Sequence, residues 1–411
     1  MSITMLGYHT YSIRKSLTKD DSEEILEDFH RYREKTGNII IQPDGKPKKV
    51  DGSSKDVYPL HKIIFKKDRG VSFIVWRCFH SKKFQYFGIE ARINPKSLTG
   101  ITNYLDASDE EHFEKAEAKF DFIAREISDK IPLFYDYSVK RIDYCINAKL
   151  DEIGYKCNSE QLMYLIKQGD IPPFYKERAT YDKDKSHRWE TDEDSFYLES
   201  GSARFNFYRK DKQLEKIYSE KERTPEIQAS IEKARNLIRL EYQILPQKMY
   251  RLKDELSQGT SYNYSNYAVT MRLLSNEISK KIIMDNYARI LRWGNYHTMK
   301  IAKAIIKSYK YCPSKEDRLI RVLELVKEKR SIYKARKSLQ DDKMAVAEFN
   351  RSLKELDNIN VNAVTIPRSF KINYIPNILK HYDNMTDGRV TPSKDFLDDY
   401  KPISHYMTAD I

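Results

Sequence analysis

The sequence predicts an α+β protein: an antiparallel sheet with helices packed on one face over residues 1–245, followed by an all-helical region over 246–411. Three observations carry that reading. Short segments with period-two alternation recur through the first part, and segments of helical period fall between them. After Pro246 the strand signals fade, while helical periodicity continues to about Glu355.

Taken in order, residues 5–14 read as an opening strand. Ser22 to Arg33 reads as a helix with Ile25, Leu26 and Phe29 on one side and Gly37 at its end. The run from Gln42 to Gly52, with two prolines and two glycines, is a turn-rich loop. His61–Lys67 and Val71–Phe79, separated by Asp68-Arg-Gly70, form a hairpin, and Phe84–Ile93 adds a third strand. Glu111–Ile127 is helical, with Phe113, Ala116, Phe120, Ile123 and Ala124 at core spacing. A strand around Arg141 follows, then a helix over Ser159–Lys167.

Ser195 to Lys210 forms the most informative hairpin. With Gly201-Ser202 as a two-residue type II′ loop, Leu198 faces Phe205, Tyr197 faces Asn206 and Glu199 faces Arg204. Phe196, Leu198, Phe205 and Phe207 then go to the core, and Tyr197, Glu199, Arg204, Asn206 and Tyr208 to the polar face. Beyond 246, helices are expected over Ser275–Leu291, His297–Tyr309 and Ser314–Lys329, with a charged helical stretch ending near Leu353. Ile290 to Ala302 has the outline of a helix-turn-helix, with Gly294 in the turn and Thr298 as a cap, which suits DNA binding or self-association. The tail from Ile366 holds four X-Pro units and reads as an extension.

Three strands each carry one central acid: Glu90 in Gly88–Asn94, Asp143 in Arg141–Asn147 and Glu241 in Arg239–Ile244. Parity puts these acids with Arg92, Arg141, Arg239 and Gln243, opposite Ile89, Ile93, Ile142, Ile146, Leu240 and Ile244. Hard divalent cations prefer oxygen ligands, so Glu90, Asp143 and Glu241 are the candidate ligands for Mg²⁺ or Mn²⁺. Each acid also has an arginine neighbour, which supplies the alternative of ordinary ion pairs; Glu199 opposite Arg204 is of that kind.

A net charge of +12 and 30 tyrosines favour a polyanionic partner, with nucleic acid leading, because cations meet phosphates and aromatic faces stack on bases. The four cysteines have no paired spacing, which argues against a zinc knuckle or a disulfide framework and for a reducing cytoplasm. No segment approaches the length of a membrane span or a signal peptide, so no membrane partner is expected. No glycine-rich phosphate cradle of the Gly-x-x-x-x-Gly-Lys type occurs. His9, His61 and His80 stand singly and read as packed or surface residues outside the site.

Tyrosine suits DNA strand transfer because its phenolate forms a phosphodiester that can later be resealed. Tyr197 and Tyr208 lie on the polar parity, whereas Tyr144 and Tyr242 point to the core. Arg204 and Lys210 are placed to stabilise developing charge.

The ordered set Arg141-Ile-Asp143, Ser195 through Asp211 and Ile238-Arg-Leu-Glu241 resembles the motifs of rolling-circle replication initiators of Gram-positive plasmids and phages, the Rep_trans type. The resemblance spans roughly residues 85–245; Glu199 stands where that family commonly has glycine. It implies a replication-initiator nuclease fold that nicks and rejoins one DNA strand at an origin, single-stranded or cruciform. Tyr197 or Tyr208 would be the nucleophile and Asp143 and Glu241 metal ligands. It also implies a host helicase as partner and allows a homodimer. A conjugative relaxase with the same chemistry and a non-catalytic DNA-binding regulator are the alternatives.

Overall fold

The computed structural model describes residues 6–43, 48–49, 56–81, 84–100, 107–108, 110–177, 193–218, 223–258 and 266–383. Much of the loop expected over 42–52, and the tail beyond 383, lie outside the described residues. The chain is α+β with a large antiparallel sheet. Its strands are β1 Leu6–Leu17, β2 Ile39–Gln42, β3 Lys48–Lys49, β4 Asp56–Phe65, β5 Val71–Ser81, β6 Phe84–Ile93, β7 Ser138–Lys149, β8 Lys176–Glu177, β9 Ser195–Glu199, β10 Ala203–Arg209 and β11 Leu237–Ile244. They run in the order β2-β4-β5-β6-β1-β7-β11-β10-β9-β8, with β3 added to β4.

Helices α1 Lys19–Thr36, α2 Pro95–Leu98, α3 Glu110–Ile127, α4 Ser159–Ile166, α5 Lys210–Ile217 and α6 Pro225–Lys233 are interspersed with the strands. The α1 helix starts where Thr18 accepts the Asp21 N–H. It stops at Gly37, whose φ of 66° lets its N–H reach the Arg33 carbonyl at 2.8 Å. Gly70, at φ 72°, makes the β4–β5 turn and lies so close to Leu98 that a Cβ would meet that backbone. After β11 come α7 Pro246–Gln258, α8 Asn266–Leu273, α9 Asn276–Leu291, β12 Tyr296–His297, α10 Met299–Ser308, α11 Pro313–Lys329, α12 Ile332–Lys337, α13 Lys343–Asn358, β13 Tyr374–Ile375 and α14 Ile378–Asp383.

Alternation sorts the sheet as its sequence requires. Ile63, Phe73, Ile89, Ala91 and Ile13 meet Phe29, Phe120 and Ile123 from α1 and α3, while Ile142, Tyr144, Phe205, Phe207 and Tyr242 meet α8 and α9. Tyr287 of α9 packs edge-on against Phe205 and Phe207, with centroids at 5.3 and 5.1 Å. One continuous core runs from Tyr8 to Tyr382, so the helices after 246 close the same sheet face that α1 and α3 cover. Tyr382 reaches back across the fold to donate to the Asn147 carbonyl at 2.7 Å.

Four details depart from the sequence reading. The region after 246 is not all-helical, because β12 and β13 pair. That strand lies between α9 and α10, so the expected helix-turn-helix has no tight turn there. Helices are not confined to one face: α5 and α6 lie against the end of the polar face, where Leu237, of polar parity, joins Leu214, Ile231 and Ala234 in a small second core. The β9–β10 register is the expected one, with Leu198 opposite Phe205 and Tyr197 opposite Asn206, but Gly201 has no positive φ, so the loop is not type II′. Among the described residues, no helix is long and apolar enough to cross a membrane.

Candidate active site

Register aligns the polar face into rows that cross the sheet. One row reads Glu199–Arg204–Gln243–Asp143–Thr10, the next Tyr197–Asn206–Glu241–Cys145–Gly7, and a third Ser195–Tyr208–Arg239–Asn147. Asp143 and Glu241 are therefore diagonal neighbours on adjacent strands, close enough for long side chains to interact. Glu90 is elsewhere. It pairs with Arg14 on β1 and lies two strands and several residues from Asp143, on the order of 15 Å by strand geometry.

Each acid is engaged. Lys140 Nζ bonds to Glu90, and Arg14 stands 3.8 Å from it. Arg141 donates to both oxygens of Asp143, at 2.7 and 2.6 Å, and Thr10 Oγ1 donates to Oδ2 at 2.5 Å. Glu241 accepts the Tyr208 hydroxyl at Oε1 and the Asn206 amide at Oε2, 3.5 Å away, with Arg239 at 3.9 Å. The three acids expected to converge thus divide into a pair and an outlier. Among the described residues, no three His, Cys, Asp or Glu side chains are grouped so as to hold a metal ion. Asp143 and Glu241 are the two acids that share this part of the face, and the oxygens of each are engaged within the fold.

The two tyrosines differ. Tyr208 is 4% exposed, and burial, reinforced by the Glu241 carboxylate, holds its phenol well above the usual 10. Tyr197 is half-buried on the next strand, opposite Asn206. Arg204 lies two rows from Tyr208, facing Glu199 at 3.9 Å, as ordinary cross-strand pairing predicts. Lys210 is the first residue of α5; it is buried, its Nζ lies 5.8 Å from the Tyr208 ring centre, and it donates to Gln213 at 2.7 Å. Burial, with Arg239 nearby, brings its ammonium down to about 7.

Sequence reasoning put Arg239 on this face without foreseeing its burial, and it missed His9. Arg239 is completely buried, with Nε donating to Asn147 at 2.5 Å, because α5 and α6 lie over this end of the polar face. His9, set aside as a singleton, occupies the irregularity in the β1–β7 pairing between Tyr8 and Thr10. Burial, and the charges of Arg239 and Lys210, hold its imidazole well below 6.5. The sequence did hold a signal: Tyr8 and Tyr11 are both core residues three apart, which strict alternation forbids and a bulge supplies. His61 lies elsewhere, its ring 6.0 Å from that of His30.

The arrangement brings a hydroxyl, a carboxylate that accepts its hydrogen bond, two buried basic side chains and a second carboxylate onto one face. A comparison with protein-family models gives no match, and neither does one with curated proteins.

Proposed function

We propose that the chain is a rolling-circle replication initiator that nicks and rejoins one DNA strand, with Tyr208 as nucleophile. The observation that carries this is the Tyr208 hydroxyl bonded to Glu241 with Arg239 and Lys210 beside it. A phosphodiester drawn to the polar face meets Arg141 first, and reaches Tyr208, Arg239 and Lys210, all buried at or beneath α5, once that helix moves aside. The Tyr208 oxygen bonds to phosphorus as the phosphorus–O3′ bond breaks, and the phenol proton passes to Glu241. The departing O3′ takes a proton, for which the Lys210 ammonium, near half-protonated at neutral pH, is suited. The 5′ phosphate stays on the tyrosine, a 3′ hydroxyl is released, and attack by that hydroxyl reverses the steps.

The raised phenol pKa sets a condition: Tyr208 remains protonated until a phosphate and its counter-charge arrive. Asp143 and Glu241 would hold Mg²⁺ or Mn²⁺, which supplies charge stabilisation at the phosphoryl oxygens when bound. Host helicase and a second copy of the chain are partners that the resemblance suggests. A conjugative relaxase would use the same residues.

The test is a supercoiled plasmid carrying the replicon's origin, incubated with protein and Mg²⁺ or Mn²⁺ and then digested with protease. Relaxation with peptide left on a 5′ end is expected, lost in Tyr208→Phe and kept in Tyr197→Phe. The reverse pattern moves the nucleophile to Tyr197; no adduct with wild type sinks the proposal. A specific observation favours the non-catalytic regulator as second reading: Glu90 and Asp143 already have cationic partners within the fold. That reading requires origin binding to be unchanged in Asp143→Asn and Glu241→Gln.

A further inference from the structure

A cleft lies on the side of the sheet opposite Tyr208, where the turn Pro172–Tyr175 faces α12 and the start of α13. Tyr175 fixes the turn to the core face, its ring 5.0 Å from Phe205. The cleft has a volume of about 520 Å³, and its wall includes Phe174, Tyr333, Arg336, Lys337, Gln340 and Lys343. No carboxylate among the described residues lines it. Arg336 is ion-paired with Asp170, whereas exposed Lys337 and Lys343 make no ion pair among the described residues. Asp342, on the adjacent turn, caps α13 by accepting the Met344 and Ala345 N–H groups.

Phe174 is the unusual member. The turn is closed by the Tyr175 N–H on the Pro172 carbonyl at 3.2 Å, with Pro173 second and Phe174 third at φ 67°. A turn with proline second and positive φ third calls for glycine there. Phenylalanine in that place strains the backbone while leaving its side chain 71% exposed, so the core gains little from it. An exposed ring beside two lysines without ion pairs, with no carboxylate among the described lining residues, matches an aromatic ligand that carries a phosphate.

We propose that this cleft binds an unpaired nucleotide of single-stranded DNA, its base against Phe174 and its phosphate between Lys337 and Lys343. The inference rests on DNA as the partner named above, and does not require nicking. It deepens that reading by adding a stacking site on the opposite side of the sheet from Tyr208, suited to holding a strand as it is displaced.

The full chain is titrated with fluorescein-labelled oligothymidylate, and crosslinked to the same oligomer carrying 5-iododeoxyuridine. Phe174→Gly suits the turn's backbone, so its melting temperature should not fall, while affinity drops roughly tenfold, within the range of one lost base stack. Lys337→Glu with Lys343→Glu should weaken binding and flatten its salt dependence. The crosslink should map to Phe174 or Tyr333. Unchanged affinity in Phe174→Gly, or a crosslink only elsewhere, overturns the proposal. Free thymidine monophosphate binding as tightly as the oligomer replaces the strand by a free nucleotide and overturns the assignment to single-stranded DNA. If wild type never nicks, yet the Phe174→Gly loss and the crosslink hold, the nicking proposal falls and this one stands.

Discussion

Replacing Lys210 by methionine should make the protein more stable at neutral pH and leave it little changed in alkali. Lys210 is 5% exposed, and its ammonium titrates near 7 rather than 10.5 because burial, then Arg239, opposes the charge. Between those two values the unfolded chain holds a proton that the folded chain lacks, so folding stability rises with pH across that window and the penalty is full below it. Displacement from 10.5 to about 7, at about 1.36 kcal/mol for each pH unit, sets an upper bound of about 5 kcal/mol on the cost of the buried charge. Methionine keeps the stem's bulk and removes the ammonium. Its loss frees only Gln213, which is partly exposed and can turn to water. Urea unfolding of wild type and Lys210→Met at pH 7.0 and 9.5 gives the measurement, since every other titrating group largely cancels in the difference. The advantage of the variant should shrink by about 2 to 3 kcal/mol between the two conditions. A change under about 1 kcal/mol, or one of opposite sign, would mean that Lys210 is solvated or firmly paired and that the site has no desolvated ammonium at its floor.

Three further outcomes follow from the same geometry. Phe205→Ala removes a ring that packs on Tyr175, Phe207, Tyr242 and Tyr287, and should cost about 3–5 kcal/mol in urea unfolding; a loss below about 1 kcal/mol would contradict the seating of α9 on this sheet. Tyr208→Phe removes a buried hydrogen bond to a carboxylate and should lower stability by about 1.5–3 kcal/mol at pH 7, with no loss refuting the Tyr208–Glu241 contact. Asp285 titrates near 6 because burial raises its carboxyl, so the folded state binds the extra proton between about 4 and 6 and stability falls as pH rises through that range. Asp285→Asn should therefore gain about 1–2 kcal/mol at pH 7, after discount for partial exposure, and nothing at pH 4.

Side-chain parity was legible because it depends only on the pleat: Asp143, Glu241 and Tyr208 on one face, and Tyr144 and Tyr242, both fully buried, on the other, follow from counting residues. The β9–β10 register was legible for a related reason, since a two-residue loop leaves a short hairpin one good way to pair its apolar positions. Which strands become neighbours is not written in any local window. Insertion of β1 between β6 and β7 separates Glu90 from Asp143, and that choice belongs to the pairing of segments some 80 and 130 residues apart. The departures after 246 have the same origin, because a two-residue strand such as Tyr296–His297 has too little pattern to be seen before Tyr374–Ile375 is brought beside it. The sequence by itself therefore determined the α+β class, the two faces of the sheet and the acids, arginines and tyrosines that share one of them. Only the tertiary structure decided that α5 and α6 lie over that face and bury Arg239 and Lys210, that a bulge turns His9 toward them, and that Glu90 stands apart from Asp143 and Glu241, because these depend on contacts between residues far apart in the chain.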